Sequence, residues 1–206
     1  MKYSGIYAIT DDHLLPPDRL QSAVSAALAA GINMLQYRSK SGSAGERQQV
    51  AAALQSLCAS HQVPLIINDD VELCLASGAA GVHLGRQDAS LQAVRKRLGP
   101  DAIIGITCHD SLDLALAAQQ QGASYVAFGR FFPSLTKPGA SAAPLSLLTA
   151  ARAQLSLPIV AIGGINAENG AAILGAGADM LAIVQGVFGG DDVGANVLNI
   201  QRLFQA

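Results

Sequence analysis

The feature of this sequence that most constrains its fold is an alternation that runs along the whole chain. Short apolar runs rich in β-branched residues alternate with alanine-rich stretches of helical period, as at Leu20, Val24 and Leu28. This alternation is typical of βα units and a parallel sheet. It predicts eight strands, at residues 5–10, 34–38, 64–68, 81–84, 102–107, 125–129, 158–162 and 180–184.

A weak internal repeat favours a closed barrel over an open sheet. Every second strand is entered through a glycine that ends the preceding helix, and these glycines are Gly31, Gly78, Gly122 and Gly177. Three of the intervening strands begin at or just after a proline, namely Pro64, Pro100 and Pro158. No linker divides the chain, so the sequence predicts one α/β domain over residues 1–206, a (β/α)8 TIM barrel.

The composition argues against several classes of protein. The chain is 50% hydrophobic and 14% charged, which suits a fold with fully buried strands. A net charge of -2, 4% aromatic residues and no tryptophan argue against a nucleic-acid partner. The three cysteines are widely spaced, so neither disulfides nor a zinc site is expected. Without a leader or a long apolar run, the sequence predicts a cytoplasmic protein with no membrane partner.

Polar side chains gather where predicted strands end, which is where a barrel of this kind carries its active site. Gln36, Arg38 and Lys40 alternate along the end of the second strand, so an extended backbone directs all three to one side. Two cations and an amide aimed in one direction suit an anionic ligand. The alternative is a strand end that is merely solvated.

Carboxylates follow the next two strands. Asp69 and Asp70 come directly after the third strand, and Asp88 follows the fourth. Any of them could cap the helix that comes next. Because neighbouring parallel strands bring these loops side by side, the carboxylates also fit Mg²⁺, which takes one or two protein carboxylates together with waters and phosphate oxygens. His83, inside the fourth strand, is predicted to pack in the barrel rather than to bind a ligand.

Two further loops have the features of anion sites. The loop after the sixth strand carries Ser134, Thr136 and Lys137 between prolines, which suits a lid that clamps an anion. A plain turn is the alternative. After the seventh strand, Gly163 and Gly164 are expected immediately before a helix, where backbone N–H groups attract phosphate. Together, the strand-end clusters predict one substrate with a diphosphate and a second with a monophosphate.

Five motifs in order make the chain resemble the thiamine phosphate synthase family, also called thiamine-phosphate pyrophosphorylases. The motifs lie at residues 36–40, 67–69, 81–88, 128–137 and 162–165. The resemblance covers nearly the whole chain. It implies a Mg²⁺-dependent transferase that condenses 4-amino-2-methyl-5-hydroxymethylpyrimidine diphosphate with a thiazole carboxylate phosphate or thiazole ethyl phosphate, giving thiamine phosphate and diphosphate. These small molecules would be its partners, and the chain is expected to be a monomer or a homo-oligomer.

The resemblance also implies a role for each candidate residue. Asp69 and Asp88 would hold Mg²⁺ against the diphosphate. The residues that would bind and neutralise the diphosphate are Arg38, Lys40, Asn68 and Lys137. Gln36 would face the pyrimidine, and the residues that would meet the thiazole are Ser134, Thr136 and Gly164.

Some positions depart from the family pattern. Thr107 stands where a serine is common and keeps the hydroxyl, so it joins Arg38, Lys40 and Lys137 as a residue implied in catalysis. After the eighth strand, Val184-Gln185-Gly186 replaces the usual Val-Ser-Ala near the thiazole phosphate. Val184 and Gln185 are therefore expected to bind the second substrate in a way particular to this chain.

Two other functions fit a barrel of this kind. A thiazole tautomerase-like barrel would share the fold but would need no diphosphate clamp. A non-catalytic sensor of phosphate ligands would be expected to lack a metal-binding carboxylate. The chain retains the full set of Arg38, Lys40, Asp69, Asp88 and Lys137, which favours the transferase.

Overall fold

The computed structural model describes residues 3–85, 88–133 and 142–205, and in them the parallel strands pair in sequence order and close into a barrel. The strands are β1 (Gly5–Ile9), β2 (Met34–Tyr37), β3 (Leu65–Asn68), β4 (Gly81–Leu84), β5 (Ile103–His109), β6 (Tyr125–Gly129), β7 (Ile159–Ile162) and β8 (Met180–Ile183). The last strand pairs with the first, with Gly5 opposite Met180. The predicted (β/α)8 TIM barrel is confirmed. Ser134, Thr136 and Lys137 lie outside the described residues.

Helices follow the strands on the outside of the barrel. They are α1 (Pro17–Ala29), α2 (Ala44–Ser60), α3 (Val71–Ser77), α4 (Leu91–Leu98), α5 (Leu112–Gln120), α6 (Ser146–Gln154), α7 (Gly170–Gly175), α8 (Gln185–Phe188) and α9 (Val193–Gln201), and a 3₁₀ helix spans Arg202–Phe204. Gly78 ends α3 in the left-handed conformation, with φ 69°, as its position predicts. In the described part of the chain, no helix is both long and apolar enough to cross a membrane.

One strand is longer than predicted, and one local prediction was wrong. β5 continues to His109, beyond the predicted end at residue 107, because a bulge between Thr107 and His109 shifts its register against β6. Gly163 and Gly164 were expected immediately before a helix, but α7 begins only at Gly170. Residues 165–169 form a turn region instead, in which the Asn166 side chain accepts hydrogen bonds from the backbone N–H groups of residues 168 and 169.

The apolar core has two layers. Alternate strand residues fill the inside of the barrel, among them Tyr7, Met34, Ile66, Tyr125 and Met180. The residues between them point outward and pack against the helices, which forms the larger outer layer. Because the strands are short and buried on both faces, polar side chains can emerge mainly at the two ends of the barrel.

Candidate active site at the carboxyl ends of the strands

Asp69 and Asp88 form a hydrogen-bonded carboxyl pair at the carboxyl ends of β3 and β4. Partial burial, the hydrogen bond with Asp88 and the charge of Asp88 raise the pKa of Asp69. The Asn68 amide, which donates to Asp69 Oδ2 over 2.6 Å, and the charge of Lys40 act in the opposite direction. Two carboxyl groups held this close favour either a shared proton or a cation.

Neither member of this pair caps a helix. Asp70 is the residue that caps α3, because its side chain accepts a hydrogen bond from the Leu73 N–H at 2.9 Å. Ser90 caps α4 in the same way. Asp69 instead has a left-handed backbone with φ 62°, a conformation that is uncommon for a residue other than glycine and that recurs at functional sites. Helix capping, the alternative role for these carboxylates, therefore applies only to Asp70.

The β2–α2 loop is held by carboxylates of the β1–α1 loop, which bind the Arg38 side chain and two backbone N–H groups. Arg38 Nη1 lies 3.4 Å from Asp11 Oδ2. Asp12 Oδ2 accepts hydrogen bonds from the backbone N–H groups of Lys40, at 2.7 Å, and Ser41, at 3.0 Å. Partial burial raises the pKa of Asp12, but the hydrogen bonds from this loop outweigh it and hold that pKa below its usual value.

Asp11 and Asp12 were not among the predicted site residues. Their signal was nevertheless present in the sequence, because they follow β1 as Asp69 and Asp70 follow β3. They bring Arg38 and Lys40 to the same rim as the carboxyl pair, and the charge interaction between Lys40 and Asp69 links the two groups.

Gln36 and Thr107 are joined through the inside of the barrel. Gln36, only 3% exposed, donates from Nε2 to the Tyr7 hydroxyl at 2.7 Å, and that hydroxyl lies 2.8 Å from the Tyr125 hydroxyl. Tyr125 is 2.9 Å from His83 Nδ1, and His83 Nε2 is 2.8 Å from Thr107 Oγ1. His83 does pack inside the barrel, where its ring stacks on Tyr125. Sequence reasoning missed Tyr7 and Tyr125, which look like ordinary apolar strand residues.

Gly163 and Gly164 bind the end of β7 to the start of the β6–α6 loop. Both have positive φ, 105° and 66°, and a Cβ on Gly164 would overlap the Pro133 carbonyl. The Phe132 N–H donates to the Gly163 carbonyl at 3.0 Å. Because Pro133 immediately precedes Ser134, the loop that carries the predicted hydroxyls and Lys137 starts against this glycine pair.

The other predicted residues near the second substrate lie at the end of β8. Val184 is half-buried and immediately precedes α8, and Gln185 is the exposed first residue of that short helix. The Gln185 side chain lies beside Gly189, where it would contact a Cβ.

The donor set at the carboxyl pair fits a hard divalent cation. The described residues contain no cluster of three or more His, Cys, Asp or Glu side chains that could enclose a metal. Asp69 and Asp88 would therefore supply two carboxylates, and the remaining coordination positions would fall to waters and ligand oxygens. That is how Mg²⁺ usually binds in proteins that handle phosphates.

The family model and the curated relatives point to one family, and a solved structure of that family superposes well on this chain. The family model described as "Thiamine monophosphate synthase" matches residues 6–187. The thiamine-phosphate synthase of Thioalkalivibrio sulfidiphilus is 52% identical over 98% of this chain and 95% of its own length. That of Marinobacter nauticus is 53% identical over 97% and 90%. The structure of thiamine phosphate pyrophosphorylase from Pyrococcus furiosus superposes with a TM-score of 0.89, at 30% identity, over 98% and 95% of the two chains.

Proposed function

Because this chain belongs to the thiamine monophosphate synthase family, we propose that the rim formed by β1–β5 holds a diphosphate substrate and a divalent cation during the reaction. The chain is a transferase of thiamine biosynthesis. It condenses the aminopyrimidine diphosphate with the thiazole phosphate, giving thiamine phosphate and diphosphate.

The observation that carries this proposal is the Asp69–Asp88 pair with Arg38 and Lys40 around it. Diphosphate brings several negative charges to a rim that already contains carboxylates. Two fixed cations and a divalent ion at Asp69 and Asp88 would offset that charge. Mg²⁺ is the ion whose ligand preferences match this donor set, and when bound it would neutralise the diphosphate oxygens as they gain charge.

The reaction asks the protein for electrostatic stabilisation more than for proton transfer. The carbon–oxygen bond to the diphosphate breaks, its electron pair leaves with the diphosphate, and the thiazole nitrogen forms the new carbon–nitrogen bond. We expect Arg38, Lys40, Asn68 and Lys137 to bind the leaving group. Donors that are already in place where charge develops lower the barrier most.

The remaining residues are proposed to hold the two ring systems. Gln36, at the mouth of the barrel, would face the aminopyrimidine. The residues proposed for the thiazole phosphate are Ser134, Thr136, Gly164, Val184 and Gln185. This side is supported by the close packing of Gly164 against the start of the β6–α6 loop.

The test is a reaction of purified protein with both substrates, followed by release of diphosphate and formation of thiamine phosphate. We expect both products in equal amounts, only when both substrates are present, and only with a divalent cation such as Mg²⁺. Omitting the thiazole phosphate is the control. A protein that binds both substrates without releasing diphosphate would behave as the sensor does, and one that converts the thiazole alone would behave as the tautomerase does.

A further inference from the structure

The buried polar chain from Gln36 to Thr107 crosses the barrel and touches two residues that the proposed function uses. Its three inner members are Tyr7, Tyr125 and His83. We refer to these five residues as the barrel relay. Its links measure 2.7, 2.8, 2.9 and 2.8 Å, all within ordinary hydrogen-bond range.

The protons of the barrel relay must be ordered in one direction. Tyr7 accepts from Gln36 Nε2, so its own proton is donated to Tyr125. Tyr125 then donates to His83 Nδ1, and His83 carries its proton on Nε2, which donates to Thr107 Oγ1. Each tyrosine hydroxyl both accepts and donates, which leaves neither of these buried phenol protons without a partner. Burial raises the pKa of both tyrosines, so the phenols keep these protons at neutral pH.

This direction sets the hydrogen-bonding character of both ends. At one end, the Gln36 amide nitrogen is used by Tyr7, so its oxygen is the atom that remains as an acceptor for a ligand amino group. At the other end, Thr107 Oγ1 accepts from His83, so its own proton is directed elsewhere and is available to a ligand oxygen. An aminopyrimidine and a leaving diphosphate present these complementary groups.

The glycine at position 105 leaves the space that the Tyr125 ring of the relay occupies. Gly105 on β5 lies between His83 on β4 and Tyr125 on β6 in the strand register. A Cβ at Gly105 would overlap the ring and hydroxyl of Tyr125. Without it, the Tyr125 ring stacks on His83, with ring centroids 5.6 Å apart at 17°. A glycine inside a strand commonly marks such a close approach.

We propose that Tyr7, Tyr125 and His83 are positioning residues that fix Gln36 as a hydrogen-bond acceptor for the aminopyrimidine and Thr107 as a donor to the diphosphate. This inference rests on the proposed function for the ligands at the two ends. The proton order itself is a property of the free protein.

The first experiment removes the central hydroxyl and keeps its ring, in Tyr125→Phe, with steady-state kinetics for each substrate. We expect kcat to fall and KM for the pyrimidine diphosphate to rise, each by about three- to tenfold, the usual effect of one lost hydrogen bond. KM for the thiazole phosphate should not change. The matched control is Thr149→Val, which removes a hydroxyl on α6 that donates to the Ala176 carbonyl, outside the rim and the relay.

A second pair of variants separates the two ends of the relay. In a Thr107→Val background, Tyr125→Phe should no longer lower kcat but should still raise KM for the pyrimidine diphosphate, because the Gln36 end remains intact. Gly105→Ala should reproduce the kinetics of Tyr125→Phe. The positioning role is wrong if Tyr125→Phe lowers only the melting temperature. It is also wrong if the variant raises KM for both substrates equally.

An NMR measurement tests the relay without using the reaction. Nitrogen-15 spectra of the free protein at pH 7 should show His83 neutral, with its proton on Nε2, and Tyr125→Phe should remove this fixed tautomer. A proton on Nδ1, or a doubly protonated ring, would overturn the proposed order. Failure of the wild-type protein to release diphosphate would count against the proposed function alone, since the tautomer is measured without substrate.

Discussion

At the scale of single residues, Asp69 and Asp70 show how neighbours of the same type divide two tasks. Asp70 accepts a backbone hydrogen bond and starts α3, whereas Asp69 turns its carboxyl group towards Asp88. The left-handed backbone at Asp69 produces this divergence, because it redirects the chain between the two side chains.

This division predicts different results for the same substitution at three positions. Asp69→Asn and Asp88→Asn should lower kcat on the order of 100-fold or more, because each removes a carboxylate that we propose binds a hard cation. Both variants should melt no lower than the wild type, since the change removes like-charge repulsion and asparagine tolerates the left-handed backbone at position 69. Turnover at saturating Mg²⁺ and a melting curve are the measurements.

Asp70→Asn is the matched control, and it should keep both activity and melting temperature, since asparagine caps a helix about as well as aspartate. Near-normal turnover of Asp69→Asn at saturating Mg²⁺ would contradict the metal assignment.

The position of several candidate site residues at the rim could be predicted from the sequence because their signal is local. Carboxylates and cations directly after apolar runs predict a place at the rim, and the structure places Arg38, Lys40, Asp69 and Asp88 there. The same signal would also have found Asp11. The barrel relay could not be predicted, because its Tyr7–Tyr125 contact joins residues 118 positions apart. It also depends on Gly105 of β5, where any side chain would overlap Tyr125.

At the scale of elements, the first two βα loops act as one unit. Asp12 connects them by accepting from two successive N–H groups of the β2–α2 loop. The loop is therefore already in the shape that brings Lys40 to the rim before any ligand binds, which reduces the ordering cost of binding.

Asp12→Ala should raise KM for the pyrimidine diphosphate about tenfold, the loss expected when one charge-assisted hydrogen bond no longer orders the loop. KM for the thiazole phosphate should stay within twofold of wild type, which separates this effect from general damage. The control is Asp18→Ala, an exposed acidic residue in the first turn of α1. Equal KM values for Asp12→Ala and Asp18→Ala would show that the loop does not need this connection.

The opposite end of the barrel is held by a different kind of contact. Arg152 on α6 pairs with Asp179 and donates from Nε to the Gly177 carbonyl at 3.1 Å, and Asp179 Oδ2 also accepts from the Ile159 N–H at 2.7 Å. These contacts join α6, the start of β7 and the start of β8, far from the carboxylates of the rim.

Arg152→Met should therefore lower the free energy of unfolding by about 2 kcal/mol, because it leaves a mostly buried carboxylate without its ion pair. Arg97→Met breaks the exposed pair with Glu72 and should cost less than about 1 kcal/mol. Urea unfolding measures both, and kcat should be unchanged in each. A larger loss of unfolding free energy in Arg97→Met than in Arg152→Met would contradict this prediction.

At the scale of the whole molecule, the fold was more predictable than its local details. The eight strands could be predicted because buried parallel strands are short, apolar and separated by helices of regular period. The bulge after Thr107 and the turn region before α7 could not, because each depends on packing between neighbouring loops rather than on local residue type.

The three thiols report on the integrity of the outer layer. Cys58, Cys74 and Cys108 are free and buried in it, on α2, α3 and β5. Burial raises the pKa of Cys58 and Cys108 to about 12 and that of Cys74 to about 11. Native protein at pH 8 should therefore react very slowly with a thiol reagent, and the thiols should become reactive together at the denaturant midpoint seen by circular dichroism. One thiol that reacts earlier would reveal local opening.

Because β1 pairs with β8, the barrel cannot close during synthesis until β8 has been made. The strand around Gly5 is synthesised about 175 residues before its partner around Met180. At ordinary translation rates the two are separated by roughly ten to thirty seconds. Throughout that interval the growing sheet has an unpaired edge at β1 and another at its newest strand, and such edges invite pairing with other chains. The nascent protein is thus most exposed to aggregation just before its final strand emerges, and a ribosome that stalls there would present a nearly complete but open sheet to the cell's chaperones.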